Sequence, residues 1–216
     1  MKCLYCDKTI VKQSFRSLFI KEDPLCYECR EKLGFRVRHL KIDDIDVEYL
    51  YDYRSIFSSI LLQYKECLDE ALSVVFAYEM EDYIFFKYHG YKLCYVPSSD
   101  IKMDKRGFHP MKMILNNVKI KEVEVINMIE QCTQENKNST ERKKMEHNFV
   151  YDGPIEERVL IVDDVLTSGS TIKGVYNALK PYCREIKVLV MASAMQDEKT
   201  LKENDCVRKG KKIQQD

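Results

Sequence analysis

Between Val159 and Thr171 the sequence reads VLIVDDVLTSGST, in which an apolar run meets two adjacent aspartates and then a cluster of hydroxyls around one glycine. The run over 159–163 predicts a buried strand. A helical pattern follows from about Thr171 to Lys180, Pro181 stops it, and a second β-prone run covers Ile186 to Met191. A strand–helix–strand unit of this kind makes its two strands parallel and its crossover right-handed. The expected fold class is therefore α/β, a mainly parallel sheet flanked by helices. With 216 residues, 45% of them hydrophobic, the chain has material for one domain of ordinary size and a small appendage.

In an open parallel sheet, ligands bind beyond the carboxyl ends of the strands, which is where a strand ending at residue 163 would put Asp163 and Asp164. Ionised carboxylates only accept hydrogen bonds, so their partners are donors such as sugar hydroxyls, or a divalent cation. Thr167, Ser168, Gly169, Ser170 and Thr171 then lead into the helix, whose first-turn N–H groups and dipole favour an anion. Acceptors for hydroxyls beside a phosphate cradle complement a ribose 5-phosphate. A P-loop would need lysine and a hydroxyl where Val175 and Tyr176 stand, which argues against an ATPase. The plainer alternative is a helix capped by Ser170 with solvated aspartates; it accounts for one hydroxyl and leaves the acidic pair without a reason.

Cys3 and Cys6 form one CxxC pair and Cys26 and Cys29 another, with nineteen residues between the pairs. Two such turns supply the tetrahedral four-thiolate shell of a structural zinc and leave no position for an activated water. The other five cysteines, Cys67, Cys94, Cys132, Cys183 and Cys206, are scattered singly and read as small hydrophobes. Nine cysteines is an odd number, and MKCLYCDKTI has no apolar export core, so reduced thiols in the cytoplasm are expected. Lysine plus arginine balances aspartate plus glutamate at 35 each, so net charge gives no general attraction to nucleic acid. Residues 2–38 nevertheless interleave Lys2, Lys8, Lys12, Arg16, Lys21, Arg30, Lys32, Arg36 and Arg38 with Tyr5, Phe15, Phe19, Tyr27 and Phe35, a mixture able to hold phosphates and stack bases.

Elsewhere, residues 42–47 read as a short strand or an acidic connector, and from Ser55 the apolar spacing predicts one or two amphipathic helices. YKLCYV, Tyr91 to Val96, is a β-prone run stopped by Pro97, followed by the polar loop SSDIKMDKRGF. Met111 to Val118 has a helical pattern, and Val123 to Ile129 fits either a strand or a helix. Residues 134–144 look like a mobile excursion, and 201–216 like a disordered basic tail carrying Lys209, Lys211 and Lys212. The expected organisation is a cysteine module at 1–40, the α/β domain at 41–200 and the tail at 201–216.

The Val159–Thr171 stretch resembles the phosphoribosyl pyrophosphate (PRPP) motif of type I phosphoribosyltransferases, with Ser168 in place of the motif's second threonine. Together with the four cysteines, the segments LLQYKECLDEAL, YVPSSDIKMDKRGFHPM and QENKNSTERKKMEHNF are similar, in that order, to segments of the ComF (ComFC-like) family of bacterial competence proteins. The resemblance implies a type I phosphoribosyltransferase-like domain with an N-terminal zinc module. It implies that Asp163 and Asp164 receive the ribose hydroxyls and residues 167–171 the 5-phosphate. Pro97, Ser98 and Ser99 would shape the pyrophosphate loop, Lys102, Lys105 and Arg106 would neutralise its charge, and magnesium would accompany PRPP. It further implies a role in natural transformation, with single-stranded DNA and a ComFA-like helicase as partners. The alternative is a catalytically active nucleobase or amine phosphoribosyltransferase. The family's RGFNQ appears here as RGF followed by His109 and Pro110, and His109 is the one histidine expected near a ligand.

Overall fold

The computed structural model describes residues 1–10, 22–53, 56–97, 103, 106–127 and 149–195. The excursion at 134–144, the tail at 201–216, Ser98, Ser99, Lys102, Lys105, Cys132, Cys206 and residues 11–21 lie outside them.

The apolar runs form a six-stranded sheet in the order β1–β2–β8–β7–β3–β4. Its strands are β1 (Arg38–Ile42), β2 (Ile45–Asp52), β3 (Lys92–Tyr95), β4 (Glu122–Val123), β7 (Glu156–Leu166) and β8 (Cys183–Ser193). β1 pairs antiparallel with β2, and every other pairing is parallel. Residues 42–47 thus belong to a hairpin that turns at Asp43, an aspartate at φ 52°, where a short polar side chain is tolerated. A separate two-stranded ribbon joins β5 (Ile126–Asn127) to β6 (Phe149–Val150).

Alternate residues of the central strands face two cores. Leu160, Val162, Leu189 and Met191 face one, and Val159, Ile161, Val188 and Val190 the other, which is why these strands read as continuous apolar runs. The first core is covered by α1 (Tyr27–Leu33), α2 (Ile56–Glu66), α3 (Ser73–Tyr88) and the short α4 (Pro110–Ile114). α2 buries Phe57, Ile60, Leu61 and Tyr64, the i, i+3, i+4, i+7 stripe of an amphipathic helix. The second core is covered by α5 (Ser170–Leu179), through Ile172, Val175 and Leu179, and by Phe149 of the ribbon. Among the described residues no helix is long and apolar enough to cross a membrane.

Three local expectations change. The helical pattern at Met111 to Val118 yields only the turn and a half of α4, because the backbone leaves the helix at Leu115. Cys67 is exposed, whereas Cys94 is buried as a small hydrophobe should be. β7 does not stop at Asp163: it runs to Leu166 and pairs with β8 on either side of Asp164, with Asp163 opposite Val190 and Leu166 opposite Ser193.

The cysteine segment is built into the first core. Cys3, Leu25, Cys29 and Leu33 are buried with Tyr51, Phe57 and Phe76, and β1 runs across the division at 40/41. Arg30 of α1 fixes this junction: its guanidinium donates to both oxygens of Asp23 at 2.6 and 2.9 Å, to Glu79 of α3 at 2.9 Å and to the Val75 carbonyl at 3.1 Å.

Candidate ligand site and four-cysteine centre

β3 ends opposite Val162, and the Val96 N–H closes that side by donating to the Val162 carbonyl at 3.1 Å. Asp163 and Asp164 therefore lie past the end of β3, on a stretch where β7 still pairs with β8 through Asp163, Val165 and Leu166, so the carboxyl edge of the sheet is stepped and the acids sit on its tread. The side-chain alternation shifts phase across them. Leu160 and Val162 pack in the first core together with Val165, whereas Val159 and Ile161 share the second with Leu166.

The two carboxylates are not equivalent. Asp163 Oδ1 accepts from the Asp164 N–H at 2.8 Å, which holds its carboxylate over the backbone. Asp164 Oδ2 accepts from Lys65 Nζ, which reaches across from the last turn of α2. The pair is well shielded, with the Lys65 side chain 15% and the Asp164 side chain 20% exposed.

Leu166 is followed by the turn Thr167–Gly169, and α5 begins at Ser170. Gly169 occupies the N-cap position in a left-handed conformation, φ 76°, and Ser168 Oγ accepts from the Ser170 N–H at 3.4 Å, so the capping role considered for Ser170 is not what the residue does. Two constraints demand glycine there. A side chain would be strained at that φ, and a Cβ would stand 2.7 Å from Ile42 Cδ1 on the β1–β2 hairpin. The hairpin is also tied to α5 by Asp43, which pairs with Lys173 at 2.6 Å. Thr167, Ser168 and Ser170 are exposed, with the Ser168 and Ser170 hydroxyls 3.0 Å apart. The turn thus places exposed hydroxyls at the start of a ten-residue helix, separated from the acids by two residues.

Pro97 lies two residues past Tyr95, the last residue of β3. Of the cations expected near a pyrophosphate, Arg106 is described, and its Nη2 donates to Glu66 Oε1 at 2.5 Å. His109 is bonded to the backbone through both ring nitrogens. It is the N-cap of α4, with Nδ1 accepting from the Lys112 N–H at 3.4 Å and Nε2 3.3 Å from the Val96 carbonyl, so Nε2 carries the proton. Burial, more than the nearby Lys112, depresses its pKa below the usual histidine value. A side-chain acceptor at an N-cap is what asparagine also supplies, and Pro110 suits the first helical position, so His109–Pro110 retains a helix start. Lys65, which the fold brings to Asp164, was not singled out in the sequence. Its signal lay in LLQYKECLDEAL, but a helix-borne lysine gives no hint of a partner ninety-nine residues away.

At the other end of the first core, the sulfurs of Cys3, Cys6, Cys26 and Cys29 all lie within 4.8 Å of one another, those of Cys6 and Cys26 at 3.7 Å. A tetrahedral shell with sulfurs at about 2.3 Å from zinc places them roughly 3.8 Å apart, so the cluster is in position to hold a metal ion. Cys3 sits in a turn closed by its N–H donating to the Lys8 carbonyl at 2.9 Å, and Cys26 and Cys29 flank the start of α1. Burial opposes ionisation of Cys3, yet backbone N–H groups of Cys26, Cys6 and Tyr5 bring its thiol down to about 7. Burial and the neighbouring thiols push Cys29 upward, so the set takes a first negative charge readily and resists the next, the charge imbalance that a dication resolves.

Residues 133–216 match the family model of the phosphoribosyl transferase domain, a stretch that contains β7, the Thr167–Gly169 turn, α5 and β8. No curated protein matches the chain. The molecule therefore carries a phosphoribosyltransferase-type domain, with a four-cysteine centre placed to bind a metal packed into the same structure.

Proposed function

We propose that this protein binds phosphoribosyl pyrophosphate with magnesium at the carboxyl edge of its sheet, and works as a ComF-type competence protein on single-stranded DNA in the cytoplasm beside a ComFA-like helicase. The observation that carries the ligand reading is the direct continuity of Asp163 and Asp164 with the Gly169 turn and the start of α5. In this reading the two carboxylates accept from the ribose hydroxyls, and Thr167, Ser168, Gly169, Ser170 and Thr171 hold the 5-phosphate. Pro97, Ser98, Ser99, Lys102 and Arg106 meet the pyrophosphate. Magnesium would supply charge neutralisation of the phosphate oxygens, and a carboxylate edge suits such a hard cation. The chain's own contribution is positioning of the sugar and electrostatic stabilisation of charge at its anomeric carbon. Zinc is the metal proposed for Cys3, Cys6, Cys26 and Cys29, on the strength of an all-thiolate set at tetrahedral spacing.

The DNA role is supported by the resemblance and by basic residues that gather where the cysteine segment meets the sheet. Lys32, Gly34, Phe35, Arg36 and Arg38 line a cavity of about 480 Å³ there, with Glu31, Asp52 and Glu79 also on its wall. Turnover as a nucleobase or amine phosphoribosyltransferase is the second reading, favoured by the complete acidic pair beside the hydroxyl-rich turn.

Melting the native protein with PRPP and magnesium tests the ligand site. Saturation at a hundredfold Kd stabilises by about 2.7 kcal/mol, which for a chain of this size raises Tm by roughly 5–10 °C. Asp163→Asn and Asp164→Asn should lose that shift, and an unchanged native Tm refutes the reading. For DNA, Lys32→Gln, Arg36→Gln and Arg38→Gln are combined in the full chain, because the cysteine segment shares the core and cannot simply be removed. Losing three phosphate contacts lowers the salt slope for a labelled single strand by about 2; an unaltered slope rules out this surface. Pyrophosphate release across a nucleobase panel reads turnover.

A further inference from the structure

Three consecutive residues at the end of α2 grip both sides of the candidate site. The Tyr64 hydroxyl donates to the Pro110 carbonyl at 2.9 Å, and its ring packs on Phe108 at 5.3 Å. Glu66 accepts from Arg106 at 2.5 Å. Between them, Lys65 pairs with Asp164. The last turn of α2 thus balances an acid of β7 with a cation, and a cation of the loop before α4 with an acid.

This balance cannot survive the binding of a sugar pyrophosphate unchanged. Once Asp164 accepts from ribose hydroxyls or faces a magnesium ion, Lys65 is left in a largely shielded position without its carboxylate. A shielded ammonium that loses its counter-ion is strongly unfavourable unless another anion replaces it. The arriving ligand carries that anion. Lysine is suited to the exchange, because its ammonium has three donors on a flexible stem, can release one oxygen for another, and binds phosphate as a compact point charge.

We propose that Lys65 is a ligand-binding residue whose ammonium, paired with Asp164 in this structure, transfers to the pyrophosphate group of the bound phosphoribosyl ligand. The inference rests on the reading of the acidic pair as the ribose site and adds a pyrophosphate contact that the sequence did not assign.

Calorimetric titration of the full chain with three probes, each with magnesium, tests it: PRPP, inorganic pyrophosphate and ribose 5-phosphate. In Lys65→Gln, PRPP and pyrophosphate should bind at least tenfold more weakly, while ribose 5-phosphate binds within threefold of native or more tightly. Lys65→Arg keeps the cation and should hold PRPP affinity to within about threefold, which separates loss of charge from loss of fold. Equal weakening for all three probes would mean that Lys65 acts only by orienting Asp164, and would overturn the proposal, as would unchanged pyrophosphate binding in Lys65→Gln. A native protein that binds none of the probes overturns the site reading itself, a result distinct from either of these.

Discussion

Replacing Arg30 with methionine, which keeps much of the side chain's volume and removes its charge, should uncouple the cysteine segment from the sheet's first core. Arg30 makes three charge-assisted bonds to carboxylates and one to a carbonyl, and stacks over Tyr78 at 4.9 Å. Its side chain is only 12% exposed, while Asp23 and Glu79 are about a quarter exposed. Removing one partner of a buried ion pair costs about 3–5 kcal/mol; partial access of water to the two acids places the loss near the lower end, about 3 kcal/mol. For a chain of this length that is a fall in Tm of roughly 6–12 °C. Burial already raises the Glu79 pKa against the opposing influence of Arg30, and the Tyr51 hydroxyl 3.2 Å away is its other donor. Without Arg30 the Glu79 pKa rises further. A carboxyl whose folded pKa is raised stabilises the protein below its unfolded pKa and loses that contribution as pH climbs through the folded value. The cost of Arg30→Met should therefore be greatest near pH 7.5 and shrink toward pH 5. Urea denaturation of both proteins at the two pH values reads it. A loss below about 1 kcal/mol at pH 7.5, or one that does not diminish at pH 5, would refute the placement of Arg30 as the tie between the two segments.

Chelation of a metal held by the four cysteines should lower a single melting transition of the whole protein without splitting off a minor one, because Cys3 and Cys29 are buried in the sheet's own core; calorimetry with metal analysis checks it. At His109 the depressed folded pKa means that its contribution is complete above about pH 6.5 and is lost as pH falls through the folded value. His109→Asn, which keeps a cap, should remove that dependence with little change at pH 7.5, and His109→Ala should cost about 1 kcal/mol in denaturant titration. Gly169→Ala should cost about 1–2 kcal/mol for its left-handed backbone, plus the overlap with Ile42. Adding Ile42→Ala should reduce the part of the Gly169→Ala cost due to overlap in a double-mutant cycle, and leave the backbone part.

Much of the fold was legible because its central strands are buried on both faces and its helices on one. VLIVDD announced β7, the apolar spacing from Ser55 announced α2, although the stripe it buries is Phe57, Ile60, Leu61 and Tyr64, and the helical pattern from Thr171 to Lys180 announced α5. The end of β7 was not legible. Aspartates normally mark a strand's exit, yet here β8 continues as a partner and β3 stops, so the strand persists on one side only. That α4 stops at Ile114 was hidden too, since the apolar spacing continues through Leu115 after the backbone has left the helix.

The candidate site was legible in its chemistry and not in its pairing. Thr167 to Thr171 could be read locally because a glycine at a helix start and its hydroxyls act within a few residues of chain. Asp163 and Asp164 read as a matched pair, since a sequence gives two neighbouring carboxylates the same chemistry. The fold breaks that symmetry by turning one onto its own backbone and giving the other to Lys65. Such a partner comes from packing α2 against β7, which no local pattern encodes. His109 was equally illegible in its pairing: it stands in a loop expected to meet ligand, and the fold gives both of its ring nitrogens backbone partners, at Val96 and Lys112. An imidazole with Nδ1 accepting and Nε2–H donating serves there as a helix N-cap. Among the described residues, the charged side chains that the fold pairs around this edge are Lys65 with Asp164 and Arg106 with Glu66.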